Sequence, residues 1–364
     1  MPRRPILIGG LAFVIIAALL TATAFLQRTT VQPTASTSGP EPSPGGAPQD
    51  PQATTAPTTT QCSRTLSGTQ TVDIDFEGTA YPVRVHVPET ADPATPPLAL
   101  VMDLHGSDSN GVFQASISEL DAVADADETG FIVAQPSAAI AMTTNSPLAD
   151  GNWAWNVPGA PTTAGQLPPD DARDDVAFLS AVIEELTSEG CVDPQRVYVT
   201  GFSGGGRMAS ALACARPDLV AAIAPVAGLR AGRASADDPA VIDTTDCASA
   251  QGVSVMTFHG TADQVNPYNG NSDPRWGYDV ATAVQGWADL DQCTETTTEQ
   301  VSEHVQRTVH RGCAQDAEVV SYTVADGGHT WPGTSADISA LGAMTQEISA
   351  SQLMWEFFTA HPKG

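Results

Sequence analysis

Val199–Ala209 reads VTGFSGGGRMA, and within it Gly201-Phe202-Ser203-Gly204-Gly205 is a GxSxG pentapeptide. The run before it, Arg196-Val197-Tyr198-Val199-Thr200, is β-branched and aromatic, and an Ala/Leu-rich segment follows. Strand, sharp turn and helix in that order lift a serine hydroxyl above the end of a sheet. Glycines are needed there because the serine's backbone is strained and the crossing strand and helix leave no space for Cβ atoms. In a chain with 31 glycines the pentapeptide alone is a weak signal. Its neighbours decide the reading.

Working outward, Thr71–Phe76 and Tyr81–Val87 alternate polar and apolar residues around Glu77-Gly78-Thr79, which predicts an antiparallel hairpin at a sheet edge. Leu98–Leu104 is nearly all apolar, as a strand covered on both faces must be. A helix is expected over Phe113–Ala126, a strand over Phe131–Ala134, and a helix opening at Pro168-Pro169-Asp170-Asp171. Further strands are expected at Ala221–Ala227, Val253–Phe258 and Glu318–Val324, with helices over Gly277–Leu290 and Ile348–Thr359. Strands alternating with helices predict an α/β fold: a mostly parallel sheet with an N-terminal antiparallel hairpin and helices on both faces. Ligands of such sheets sit at the strands' carboxyl ends. The stretch Pro136–Pro169 has no periodicity and carries Asn152-Trp153-Ala154-Trp155-Asn156. A long irregular loop inside a domain is usually functional, so Trp153 and Trp155 are candidate substrate contacts, or else pins that hold the loop to the core.

Ser107, Ser203, Asp263 and His329 each fall just after a strand. A serine hydroxyl becomes a nucleophile when a histidine takes its proton, and a carboxylate fixes the tautomer of that histidine. Ser203, Asp263, His329 is the chain order of α/β-hydrolases, and it matches neither of the other two serine-protease orders. Asp243, Asp246 and Asp326 compete for the acid; His105 and His259 precede glycines at strand ends, where imidazoles often satisfy loop backbone. An oxyanion needs two N–H donors, which Gly204 and Ser107 would supply. The acids Asp170, Asp171, Asp174 and Asp175 read as a helix start rather than a calcium loop. His304, His310 and Cys313 lack the usual zinc spacing. Neither a metal nor a cofactor is expected.

The chain carries 42 acidic against 15 basic residues, a net charge of −27, and its one lysine is Lys363. That balance excludes nucleic acid as a partner. Arg3 and Arg4, the apolar run Ile6–Leu20 and Ala22-Thr23-Ala24 form a secretory signal over residues 1–24, or a signal-anchor that tethers the chain to a membrane through residues 6–24. Residues 25–61, rich in Thr, Pro and Ser, are an expected disordered linker, and 62–362 the catalytic domain. Six cysteines (Cys62, Cys191, Cys214, Cys247, Cys293, Cys313) in an exported chain imply disulfides, with 15 connectivities open. A secreted monomer is expected.

The blocks DLHGSDSNG, CVDPQRVYVTGFSGGGRMA, HGTADQVNPY and GGHTWPG resemble the secreted polyhydroxybutyrate depolymerase and feruloyl esterase family of α/β-hydrolases, from about Cys62 to Phe358. The resemblance implies Ser203 as nucleophile, Asp263 as acid, His329 as base, Ser107 and Gly204 at the oxyanion, and Trp331 beside the substrate. It implies the pairs Cys214–Cys247 and Cys293–Cys313, leaving Cys62 with Cys191. The Pro136–Pro169 region has no matching block. The expected activity is ester hydrolysis through an acyl-enzyme, on a polyester first and on feruloyl or acetyl esters of plant polysaccharide as the alternative. A serine peptidase and a non-catalytic polymer-binding domain are the rival readings.

Overall fold

In the computed structural model, which describes residues 66–89, 97–142, 151–189, 191–247 and 250–364, ten strands form one sheet. They are Gly68–Phe76 (β1), Thr79–Val87 (β2), Leu98–Leu104 (β3), Phe131–Pro136 (β4) and Val192–Phe202 (β5), then Ala222–Val226 (β6), Ser254–Gly260 (β7), Glu295–Gln300 (β8), Val305–Arg311 (β9) and Val319–Val324 (β10). The order across the sheet is β1-β2-β4-β3-β5-β6-β7-β10-β9-β8. From β4 to β10 every pairing is parallel, while β1-β2 and β8-β9 add antiparallel hairpins at the two edges. The expected mostly parallel sheet with its N-terminal hairpin is what forms. The signal and linker, residues 1–24 and 25–61, and Cys62 lie outside the described residues. Among the described residues no helix is long and apolar enough to cross a membrane.

Strand parity divides the core into two layers. Leu100, Met102 and Leu104 of β3 join the layer under helices Asp175–Ser188 (α3), Gly204–Ala215 (α4) and Val280–Leu290 (α5), with Phe178, Met208 and Trp287. Ala99 and Val101 face the opposite layer, where Ile117 and Leu120 come from helices Gly111–Ser118 (α1) and Leu120–Ala126 (α2), and Met354 and Phe358 from Ala350–Ala360 (α6). Burying each large side chain fully contributes roughly 1.5–3 kcal/mol, so covering both faces of the strands is the dominant stabilising term.

Two local expectations are corrected, and one hairpin is added. The helix over Phe113–Ala126 is two helices, because Glu119 turns left-handed (φ 54°) where the Ser118 hydroxyl donates to buried Asp103 at 2.6 Å. The third helix starts at Asp175 instead of near Pro168, with the Asp174 side chain accepting the Ala177 N–H at 3.0 Å. The hairpin β8-β9 was not anticipated: β8, Glu-Thr-Thr-Thr-Glu-Gln, is exposed at every residue and so has no apolar alternation to read.

Cys214 bonds to Cys247 and Cys293 to Cys313, as the resemblance implied. Cys191 is also disulfide-bonded. Replacing Cys214 and Cys247 together by serine is expected to lower the unfolding free energy by about 3–4 kcal/mol in urea titration, the loop-entropy value for a sequence separation of 33. Asp291 is buried after α5; its Oδ1 accepts the Gly252 N–H at 2.7 Å and its Oδ2 has no partner. Burial pushes this carboxyl from 3.8 up to about 7. A carboxyl raised in the fold stabilises it most while protonated, below the unfolded value, and that contribution is lost as pH rises through the folded value. Stability should therefore decline between about pH 4 and 7 in part through Asp291, and Asp291→Asn should flatten the decline in denaturant titrations across that range.

Candidate active site

Four strands that run the same way, β3, β5, β7 and β10, end next to Ser107, Ser203, Asp263 and His329. At the end of β5 the chain reverses into α4 through Ser203, whose φ of 54° and ψ of −113° lie outside the regions non-glycine residues favour. Glycine is required here by contact. A Cβ on Gly205 would lie 2.0 Å from the Leu104 carbonyl oxygen, and one on Gly201 2.6 Å from the Gly205 backbone. The Ser203 N–H donates to the Val226 carbonyl at 2.8 Å, which fixes the turn to β6.

The loop after β3 brings Ser107 against the first residue of α4. A Cβ on Gly204 would lie 3.2 Å from the Ser107 nitrogen and 2.4 Å from its Oγ. The two expected oxyanion donors are therefore adjacent, beside a helix N-terminus, which favours negative charge. His105 holds this loop in place. Burial drives its imidazole down to about 4, so it is neutral. One ring nitrogen donates to the Gly106 carbonyl at 2.7 Å and the other accepts the Ala138 N–H at 3.0 Å.

Asp263 accepts from His329 Nδ1 at 2.7 Å through Oδ2, and from the Val265 and Asn266 N–H groups, each at 2.8 Å, through Oδ1. His259 Nε2 lies 3.2 Å from the same Oδ2 while bonding the Asn266 carbonyl at 2.9 Å. Burial acts to raise this carboxyl, but the hydrogen bonds from His259 and His329 outweigh it and hold it well below the ordinary carboxylate range. Asp263 is thus an anion at neutral pH that orients His329. The competing acids are elsewhere: Asp243 and Asp246 pair with Arg233 at 3.2 and 3.1 Å, and Asp326 is exposed.

Among the described residues no hydrogen bond joins Ser203 Oγ to His329. The two are linked through Phe202, whose ring centroid lies 4.9 Å from that of His329. In unliganded enzymes such contacts are often long and tighten on substrate. Phe202 and His259 were not singled out as site residues. The i,i+4 spacing of His259 and Asp263 is the signal that would have found the second.

The three tryptophans separate. Trp155, 3% exposed, donates from Nε1 to the His105 carbonyl at 2.8 Å, and Trp331, 1% exposed, donates to Ser351 Oγ at 3.0 Å. Both are enclosed by protein, Trp155 under the Ser107 loop and Trp331 against Phe202. Trp153 is half-buried and pairs by backbone with Ser109. Asp175 braces the same loop, accepting the Asn156 N–H at 2.8 Å and pairing with Arg173 at 2.7 Å.

A family model described as phospholipase/carboxylesterase matches residues 85–275. The chain belongs to that family. It is 30% identical over 343 residues, 87% of this chain and 91% of the relative, to the protein named "Putative esterase NocK" of Nocardia uniformis subsp. tsuyamanensis. It is 32% identical over 184 residues to feruloyl esterase B of Piromyces equi, covering 48% of this chain but only 31% of that relative's length. The crystal structure of native pOPH has the same fold, with a TM-score of 0.50, 18% identity and coverage of 83% of this chain and 89% of that one. This member of the family is a carboxylic ester hydrolase of the α/β-hydrolase type. Replacing Asp263 with Asn puts an amide N–H against donors that need an acceptor; kcat on a p-nitrophenyl ester should fall by about 10⁴ while near-UV circular dichroism is retained.

Proposed function

We propose that Ser203, Asp263 and His329 form the catalytic triad of an exported serine esterase acting on feruloyl-type esters of plant polysaccharide. The observation that carries the triad is His329 Nδ1 held at 2.7 Å by an ionised, buried Asp263, on the loop beside a strained serine turn. His329 Nε2 accepts the Ser203 proton as Oγ adds to the ester carbonyl. The N–H groups of Gly204 and Ser107 hold the oxyanion. Collapse expels the alcohol, which takes the proton from His329; water then enters the same way and releases the acid. The name of the Piromyces relative supports the feruloyl reading. A hydroxyacid polyester is the second reading, favoured by the sequence blocks around Ser203 and His329. Export is supported by the disulfides, which persist in oxidising compartments. On this reading residues 1–24 are the signal, 25–61 the linker and 62–362 the catalytic domain, working as a monomer.

Replacing Ser203 with Ala should lower turnover of p-nitrophenyl butyrate by on the order of 10⁵ and abolish labelling by a fluorophosphonate. Wild-type labelling in that variant would rule out Ser203 as the nucleophile. A product assay on methyl ferulate, acetylated xylan and polyhydroxybutyrate separates the substrate readings: release of ferulate is expected, and release of hydroxybutyrate alone selects the polyester.

A further inference from the structure

A cavity of about 700 Å³ opens beside α4, with Val157–Pro161 of the long loop on one side and Trp276 on another. Arg207 and Arg230 both line it. Arg207 is 4% exposed, yet among the described residues its guanidinium has only the Pro161 carbonyl, at 3.2 Å, and the Trp276 ring, at 5.5 Å. Arg230 is half-buried; it donates from Nη1 to the Tyr278 carbonyl at 3.2 Å, its guanidinium lies 4.9 Å from the centre of the Tyr278 ring, and its buried Nη2 has no hydrogen-bond partner among the described residues. Neither guanidinium makes an ion pair among the described residues. The arginines nearer the rim differ: Arg233 pairs with Asp243 and Asp246, and Arg275 with Asp273. Burial, then the charge of Arg230, pushes Arg207 down to about 9, so it stays charged at neutral pH.

A buried cation without an ion pair, as Arg207 is, is costly, and a second guanidinium facing the same cavity adds to the cost. Among the described residues no carboxylate pairs with either guanidinium; the two that line the cavity, Asp243 and Asp246, are held by Arg233. An anion from outside would remove the cost, and a guanidinium fork fits a carboxylate. None of Ser107, Ser203, Gly204 or His329 lines the cavity, but the nearness of Arg207 to Ser203 along the chain points to the substrate as the source. The Arg207 N–H bonds the Ser203 carbonyl at 3.0 Å, so the two residues stand one helical turn apart on α4, about 6 Å along its axis.

We infer that Arg207 and Arg230 form a subsite for a free carboxylate on the ester substrate. This rests on the esterase reading above, and it adds that the enzyme prefers acidic over neutral esters of the same length.

The test compares matched esters. p-Nitrophenyl hemiglutarate and p-nitrophenyl pentanoate differ by a carboxylate on the acyl side; butyryloxyacetate and ethyl butyrate differ by one on the alcohol side. For at least one pair, the acidic-to-neutral ratio of kcat/KM should fall by about tenfold to a hundredfold in Arg207→Gln and in Arg230→Gln. Glutarate should also raise the Tm of Ser203→Ala, and adding Arg230→Gln should remove that rise, a readout that survives if Arg207→Gln does not fold. Ratios unchanged in the arginine variants overturn the inference, even if glutarate still binds. If the wild type hydrolyses none of the four esters, the esterase reading fails instead, and the glutarate shift with its dependence on Arg230 decides the anion site alone.

Discussion

The crossing of β3, β5 and α4 at van der Waals limits is the constraint on which the site depends. Gly205 lies so close to the Leu104 carbonyl that a single methyl group has no place. That proximity sets Ser203 in its unfavourable backbone conformation and brings Gly204 beside Ser107. The parallel register of the strands then carries Asp263 and His329 to the same edge. Strain of this kind costs on the order of 1–3 kcal/mol and persists only where the surroundings over-determine it. Here two buried layers do so.

Asp263 shows how the remaining parts are fixed. Its carboxylate collects donors from two histidines and two backbone amides, so its position is set by β7 and its following loop together. His329 is held from the other side as well, with its N–H on the Leu341 carbonyl at 2.9 Å. Both sides of the acid–base pair therefore rest on backbone hydrogen bonds.

Much of this could be read from the residues. Leu98–Leu104 and Val319–Val324 are strands because their composition admits little else, and the glycines at 201, 204 and 205 have meaning only at a tight crossing. What could not be read lay in three-dimensional partnerships. The sequence left Trp155 as either a substrate contact or a pin, and the partner that makes it a pin, the His105 carbonyl that accepts its indole N–H, lies 50 residues away in the chain. Glu119 ends α1 because Ser118 reaches a buried acid 15 residues earlier in the chain. Arg207 sits in an apolar helix, a local inconsistency visible in GGGRMA, and its surroundings are built from segments far apart in sequence.

The sheet has two open edges, both acidic. At one end β1 carries Asp73 and Asp75, and at the other β8 carries Glu295 and Glu299. Unpaired edge backbone invites strand addition between molecules. Carboxylates at both edges, on a chain of net charge −27, make any edge-to-edge approach of two copies repulsive. Such acidity opposes the association of copies through a long sheet, and added salt, by screening it, would bring them closer to self-association.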